Sequence, residues 1–324
     1  MGSILDTVVI GGGAMGSAAA WALSRRGRQV TLVEQFGPGH AIGASHGSTR
    51  NLNPGYHRPE YVAMLAESLA LWDDLEQESG DQLLSRTGIV THGPEPLLPG
   101  IAGALTQAGI RAEFLPLEEA AERWRGIRFD QQVLHMPDGG QLNPEAALPA
   151  FQRLAVARGA DIRHHIKVVD FQVMDDGVRL VLESASGTET VTAAQAVVTA
   201  GGWTGKLLAA AGGGALRIPR LTVTQEQPLH FRVADEGAVW PGFNHYPGTG
   251  AEYQLVLPRV RYADARRGSQ GRLARHGTGG GSGPPVLPAG TGSARGAAGL
   301  RPDLAAGGGR GFLRGGQLHL HHHP

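Results

Sequence analysis

Apolar positions fall into two rhythms along this chain. Val8, Val9 and Ile10 form a short unbroken apolar run, and residues 30–33 form a second. Runs of this length between turn formers read as buried strands. Between them, residues 17–26 are rich in small side chains and read as a helix. Val62, Leu65, Leu69, Trp72 and Leu75 recur near helical spacing and predict a helix over 61–78. Residues 87–91 have a strand pattern. Residues 94–109 and 117–124 predict helices, the second with Glu118, Glu119 and Glu122 toward its front, where a helix favours anions. Asn143 is placed to cap a helix that begins at Pro144, runs to about Arg158 and is closed by Gly159.

The rhythm then changes to strands. Residues 161–167, 168–174, 178–183 and 189–192 are candidates, with Asp176-Gly177 and Ser186-Gly187 as turns. Residues 196–200 read as a buried strand ending at Gly201-Gly202-Trp203, and 204–211 as a helix. Residues 221–233 alternate like antiparallel strands. Helices and strands alternate early and antiparallel patterns come later. This predicts an α/β fold: an open dinucleotide domain with a second sheet domain of interleaved segments.

The first strand and helix are joined by Gly11-Gly12-Gly13-Ala14-Met15-Gly16, and Glu34 ends the second strand, 18 residues after Gly16. Strand, Gly-x-Gly-x-x-Gly turn, helix, strand and acid form a dinucleotide fingerprint. Gly11 allows the tight turn, Gly13 lets a pyrophosphate approach the backbone, and Gly16 lets helix and strand pack closely. The helix N-terminus offers N–H groups to phosphate, and Glu34 is placed to accept from a ribose. The motif alone leaves NAD and FAD both open.

The chain of 324 residues has room for two domains and contains no cysteine, which excludes disulfides, thiolate metal sites and a thiol nucleophile. No apolar stretch reaches spanning length, and the N-terminus goes straight into a strand, so a soluble cytoplasmic protein is expected. The formal net charge of zero hides a break. Residues 1–258 carry 19 Lys+Arg against 27 Asp+Glu, whereas residues 259–324 carry 10 Arg, 2 Asp and 17 Gly. Pro258 marks the boundary between ordinary globular composition and a Gly/Arg-rich tail.

Gly43-Ala44-Ser45-His46-Gly47-Ser48-Thr49-Arg50 followed by Tyr56, after that fingerprint, resembles the monomeric sarcosine oxidase and N-methyltryptophan oxidase family. That family lies within the D-amino acid oxidase-like flavoproteins. Thr87-Gly88-Ile89-Val90, residues 138–144 with the helix to Ala160, Val168-Val169-Asp170-Phe171 and residues 197–208 resemble further stretches of it. The resemblance covers about residues 8–258. It implies FAD rather than NAD, and a FAD-binding Rossmann-like domain made mainly of residues 1–90 and 140–215. Residues 91–139 and 216–258 would form an antiparallel-sheet substrate domain, incomplete at its C-terminal side.

The resemblance also implies roles. Gly11, Gly13, Ala14, Met15 and Gly16 would cradle the pyrophosphate, and Glu34 with Gln35 would hold the adenosine end. Val168 would meet the adenine through its backbone, and Ala200, Gly201 and Trp203 would line the cofactor. Ser45, His46, Thr49 and Arg50 would lie along the flavin end, with His46 and Arg50 tuning the chemistry. Taken as isolated residues, Arg50 could instead pair with a helix acid, His46 could be a structural loop histidine, and Trp203 could be core packing. The implied reaction is oxidation of the C–N bond of a secondary amino acid with O2, giving imine and peroxide. A small-molecule amine and O2 would be the partners of a monomer, with no nucleic acid and no membrane. Oxidases or dehydrogenases of D-amino acids or glycine, a non-catalytic flavin-binding fragment and an NAD-dependent dehydrogenase are the alternatives. One departure stands at Asn53, where the family has a second arginine that grips the substrate carboxylate. Asparagine offers no charged bidentate clamp. A larger N-methyl amino acid, or a carboxylate held elsewhere, is then as plausible as sarcosine.

The resemblance further implies an oxygen-activating lysine near a histidine, a flavin-linking cysteine and a Gly-His-Gly-Phe-Lys type stretch. None is readable after Pro258, so non-covalent FAD is expected. Read one nucleotide later, however, codons for residues 317–324 permit Asn-Cys-Thr-Tyr-Thr-Thr-Thr-Pro, which resembles the cysteine segment. The same shift over residues 269–279 permits Val-Lys-Val-Ala-Trp-His-Gly-Thr-Gly-Pro, which resembles the lysine and histidine segment. The shift on residues 304–316 permits Trp-Leu-Pro-Gly-Val-Asp-Glu-Gly-Phe-Phe-Glu-Val-Val. A one-nucleotide frameshift shortly after Pro258 is therefore expected, with residues 259–324 disordered or out of frame and the chain's own turnover in doubt. A native basic tail touching nucleic acid, or metal uptake by His319 and residues 321–323, are rival readings of the same residues, and neither function is expected.

Overall fold

The computed structural model describes residues 4–94, 97–210, 221–223, 229–230, 239–246, 253–256 and 317–320. The chain opens with β1 (Leu5–Ile10), α1 (Ala14–Arg25), β2 (Val30–Glu34), β3 (Arg50–Leu52) and α2 (Pro59–Ser79). Then come β4 (Leu84–Ser85), β5 (Ile89–Gly93), α3 (Leu97–Gln107), β6 (Glu113–Leu115), α4 (Leu117–Arg123), β7 (Gln132–Met136) and β8 (Gly140–Leu142). The middle holds α5 (Pro144–Ala157), β9 (Asp161–His164), β10 (Lys167–Met174), β11 (Gly177–Ser184), β12 (Gly187–Val198) and α6 (Thr204–Ala210). Last are β13 (Leu229–His230), β14 (Gly242–His245), β15 (Tyr253–Val256) and β16 (Gln317–Leu320).

The first sheet has the order β10-β11-β12-β1-β2-β9. β12, β1, β2 and β9 run parallel, and β10 to β12 form an antiparallel meander. Side chains alternate across a strand, so β1 feeds two cores. Val8 and Ile10 pack with Phe171, Leu180 and Leu182 on one face. Val9 packs with Ala20, Leu32 and Ala155 on the other, under α1 and α5. Gly16, Ser17 and Ala20 are buried on α1, and small residues there let helix and sheet approach closely. Trp21 meets Phe151 of α5 edge-on at 5.5 Å between ring centroids, fixing the two helices side by side. Asn143 caps α5 as expected, its side chain accepting from the Ala146 N–H.

The second sheet has the order β13-β16-β15-β14-β5-β7-β6. Ile89, Leu134 and Met136 pack under Leu98, Ile101 and Leu105 of α3, while Val90, Val133 and Phe243 face Leu115 and Ala120. A small third sheet, β3-β8-β4, lies between these in sequence. Buried amides tie it to the second sheet. Asn244 donates to Asn53 Oδ1 and to Thr91 Oγ1, both at 3.2 Å, and accepts from Asn51 at 3.3 Å.

Three expectations change. The strands read at 189–192 and 196–200 are one strand, β12, because no turn former interrupts residues 193–195. Its first half pairs with β11 and its second half with β1. Within the alternating stretch 221–233, only Leu229–His230 is a strand among the described residues; Leu221 to Val223 form none, and the remainder lies outside them. The tail is expected to be disordered or out of frame, and within it Gln317–Leu320 forms β16, pairing antiparallel with β15 and β13. The other tail residues lie outside the described ones.

Candidate active site: a dinucleotide cleft

β1 has β2 on one side and β12 on the other, so the chain leaves it in opposite directions. In an open α/β sheet such a switch point opens a crevice at the carboxyl ends of the strands. A cleft of about 940 Å³ opens there. Its walls are Ile10 to Met15, Val33 to Gly47, part of α5, His164, residues 166–169, residues 199–203, Lys206 and Leu207.

The fingerprint turn is fixed by sterics. Gly11 has φ +105°, and a Cβ on it would lie 2.6 Å from the Thr199 carbonyl oxygen. A Cβ on Gly16 would lie 1.8 Å from the Gly11 oxygen and 2.6 Å from Thr199 Oγ1. Thr199 locks the same place from the other strand, its hydroxyl 2.9 Å from the carbonyls of both Ile10 and Gly11. Thr199 lies in the 197–208 stretch that carries the resemblance but is not singled out by it; it stands just before the Ala-Gly-Gly-Trp stretch.

Glu34 is buried, and its carboxylate braces the turn. Oε2 accepts from the Gly12 N–H at 2.6 Å and Oε1 from the Phe36 N–H at 2.9 Å. A carboxylate has about four lone-pair sites, so capacity for ribose hydroxyls remains beside these two bonds. Ser45 Oγ accepts from the Ala14 N–H at 3.0 Å at the start of α1. Its own hydrogen is left to donate. The N–H groups of the first turn and the dipole of α1 converge on this point.

The other expected residues divide into two groups. Met15, Gln35, His46, Val168, Ala200, Gly201 and Trp203 line the cleft. Trp203 is 37% exposed and stands edge-on to Phe36 at 5.7 Å, so it is a wall of the cleft rather than core. His46 Nδ1 donates to the Gly43 carbonyl at 2.8 Å, which leaves the Nε2 lone pair of the neutral ring as an acceptor. Thr49 and Arg50 are not among the lining residues. Thr49 Oγ1 meets Gln141 Oε1 at 3.5 Å. Arg50 donates to the carbonyls of Ala44, His46 and Thr49 at 2.7, 2.5 and 2.8 Å, gathering the loop from behind. Asn53 Oδ1 accepts from the Gly55 N–H and from Asn244, an uncharged tie within the fold. Lys167 and Lys206, the two lysines of the chain, both line the cleft and were missed by the sequence reading.

Among the described residues no cluster of His, Cys, Asp or Glu is arranged to hold a metal, and no helix is long and apolar enough to cross a membrane. The residues fit an ADP-type group: glycines without room for a Cβ, a helix N-terminus, a buried acid and cationic rims. The chain belongs to the FAD dependent oxidoreductase family, whose model matches residues 6–303, and its cofactor is FAD.

Within that family the chain is 33% identical to monomeric sarcosine oxidase of Bacillus sp. (strain B-0618) over 64% of this chain and 54% of that protein. It is 29% identical to N-methyl-L-tryptophan oxidase of Yersinia pestis (strain Pestoides F), over 76% of this chain and 64% of that one. The chain thus spans about half the length of the sarcosine oxidase relative. The fold matches the crystal structure of L-proline dehydrogenase from P. horikoshii with a TM-score of 0.66 at 19% identity, covering 80% of this chain and 68% of that one.

Proposed function

We propose that this chain is a FAD-dependent amine oxidase of the sarcosine oxidase type, acting on a secondary, N-methylated amino acid. The observation that carries the reading is the convergence of the fingerprint turn, the Ser45-His46 loop and the Ala200 to Trp203 stretch on one cleft. Bound FAD supplies a two-electron acceptor that passes the electrons to O2, giving peroxide. Gly13, Ala14 and Met15 would hold the pyrophosphate at the head of α1, Ser45 would donate its hydroxyl hydrogen to it, and Glu34 would take the ribose. Val168, Ala200, Gly201 and Trp203 form the walls. His46 Nε2 takes a proton from the ammonium form of the substrate, leaving the neutral amine whose neighbouring carbon can be oxidised. Arg50 acts through the loop, holding His46 and Ser45 in place. The imine product hydrolyses in water. Residues 1–90 and 140–215 form the cofactor domain in this reading, and residues 91–139 and 216–258 the substrate side.

The test is peroxide release from the purified chain with sarcosine, bulkier N-methyl amino acids, glycine and D-amino acids, alongside its flavin spectrum. Amine-dependent bleaching with peroxide supports the reading. A tightly held nicotinamide cofactor, or no flavin, would overturn it. The composition of residues 259–324 favours a second reading, a flavin-binding chain without turnover. A flavin spectrum that no amine bleaches would establish that reading instead.

A further inference from the structure

The Gly12 N–H and carbonyl each have a named partner within the protein. The N–H is taken by Glu34 Oε2 at 2.6 Å. The carbonyl accepts from Ser17 Oγ at 2.9 Å and from Gln152 Nε2 at 3.3 Å. Gln152 Nε2 also donates to Ser17 Oγ at 3.0 Å. Ser17 is fully buried, and its hydroxyl gives one bond and receives one. The three groups form a closed cluster behind the turn.

This cluster sets a direction. In a trans peptide the C=O and the following N–H point opposite ways across one plane. Holding the Gly12 carbonyl toward Ser17 and Gln152 therefore turns the Gly13 N–H to the opposite side of the peptide. Gly13 itself lines the cleft, and a Cβ on it would meet Ser45 Oγ at 3.1 Å. Had the peptide flipped, a carbonyl oxygen would face the phosphates and repel them. Gln152 comes from α5, 140 residues later in the chain than Gly12. Trp21 against Phe151 fixes its register on α1.

We infer that Gln152 is a positioning residue for the FAD pyrophosphate: with Ser17 it holds the Gly12–Gly13 peptide so that the Gly13 N–H donates to phosphate. The inference rests on the cofactor reading above. Gln152 also lines the cleft, and the role assigned to it runs through its hydrogen bonds to the turn.

The experiment compares wild type, Gln152→Met, Ser17→Ala and the double variant as full chains. Each is measured for FAD affinity by flavin fluorescence quenching, for ³¹P shifts of bound FAD, and for melting of the apoprotein. Methionine keeps length and bulk but cannot donate. Losing these hydrogen bonds should weaken FAD binding by about threefold to tenfold and move a pyrophosphate ³¹P resonance, while apoprotein melting changes little between Gln152→Met and wild type. The double variant should lose less than the product of the single losses, because both act on one carbonyl. Unchanged affinity and unchanged ³¹P shifts in Gln152→Met would overturn the inference, as would a loss explained wholly by a lower apoprotein melting point. Should that variant fail to fold, unchanged ³¹P shifts in Ser17→Ala would overturn it equally. A wild-type chain that takes up no FAD would sink the cofactor reading itself, and the wild-type trace alone distinguishes that outcome.

Discussion

His92 and His245 stack face to face on paired positions of β5 and β14, with their Nδ1 atoms 2.9 Å apart. His92 Nε2 already accepts from the N–H groups of Asp130 and Gln131, so its proton sits on Nδ1 and is donated to His245. The pair cannot gain a proton without losing one of these bonds. Burial first, and then His245, lowers the His92 pKa from 6.5 to about 4, against the weaker pull of Asp130. His245 is lowered too, chiefly by burial. Below its unfolded pKa, the unfolded chain binds a proton that the folded chain refuses. The stability is therefore present above about pH 6.5 and is lost as pH falls through about 4, on the order of 2–3 kcal/mol for His92. Urea midpoints should drop over that window, and His92→Gln should flatten part of the drop. Equal slopes in both chains would count against this account.

Gly16→Ala should be among the most damaging substitutions in the turn. The added methyl would sit 1.8 Å from the Gly11 carbonyl oxygen, a backbone atom that cannot swing aside. Gly12→Ala meets only side-chain carbons of Glu34 and Leu32, at 3.1 Å and beyond. Thermal melting and flavin content should fall much further for Gly16→Ala; equal losses would show that the turn yields more than its contacts indicate.

Glu34→Gln exchanges one acceptor oxygen for an NH2 facing a backbone N–H. Either the Gly12 or the Phe36 N–H then loses its partner, at a cost of about 1–3 kcal/mol. Chemical denaturation should detect it without any ligand. FAD affinity should fall as well, since the same carboxylate anchors the turn.

Arg50→Lys should loosen the 44–49 loop. One ammonium cannot reach the three carbonyls that the guanidinium fork spans. Limited proteolysis should show faster cleavage within this loop, with apoprotein melting shifted by only a few degrees. Unchanged cleavage would remove Arg50 from the role of loop organiser.

Sequencing the gene across the codons of residues 257–267 decides the frameshift. Restoring the frame should replace the Gly/Arg-rich tail with a sequence containing cysteine and lysine. An unbroken frame whose shifted reading lacks those segments would leave the tail as native sequence.

Much of the first sheet was legible because its signals are local. The apolar runs of β1 and β2, the glycine spacing and the Asn143-Pro144 cap each act within a few residues. The second sheet was less legible. β3, β4, β6 and β8 are two or three residues long and are strands only through their pairing partners. At the site, Ser45 and Glu34 were readable from the motif, while Gln152 and Thr199 were not. Their roles arise from contacts spanning 140 and 189 residues, which no spacing rule encodes. Arg50 was legible as a motif residue, but the backbone carbonyls that hold its guanidinium could be seen only once the loop was folded.

β12 sits between β1 and β11, although it is made nearly two hundred residues after β1. During synthesis, the β1–α1–β2 unit leaves the ribosome with one edge of β1 bare, its N–H and C=O groups unpaired. That edge is covered only after Val198 has emerged. Until then the nascent chain presents an open parallel edge, the kind that recruits other strands. Thr199 to Trp203, which line the same cleft, emerge at that moment, so the cleft gains this wall only after about two hundred residues have been translated.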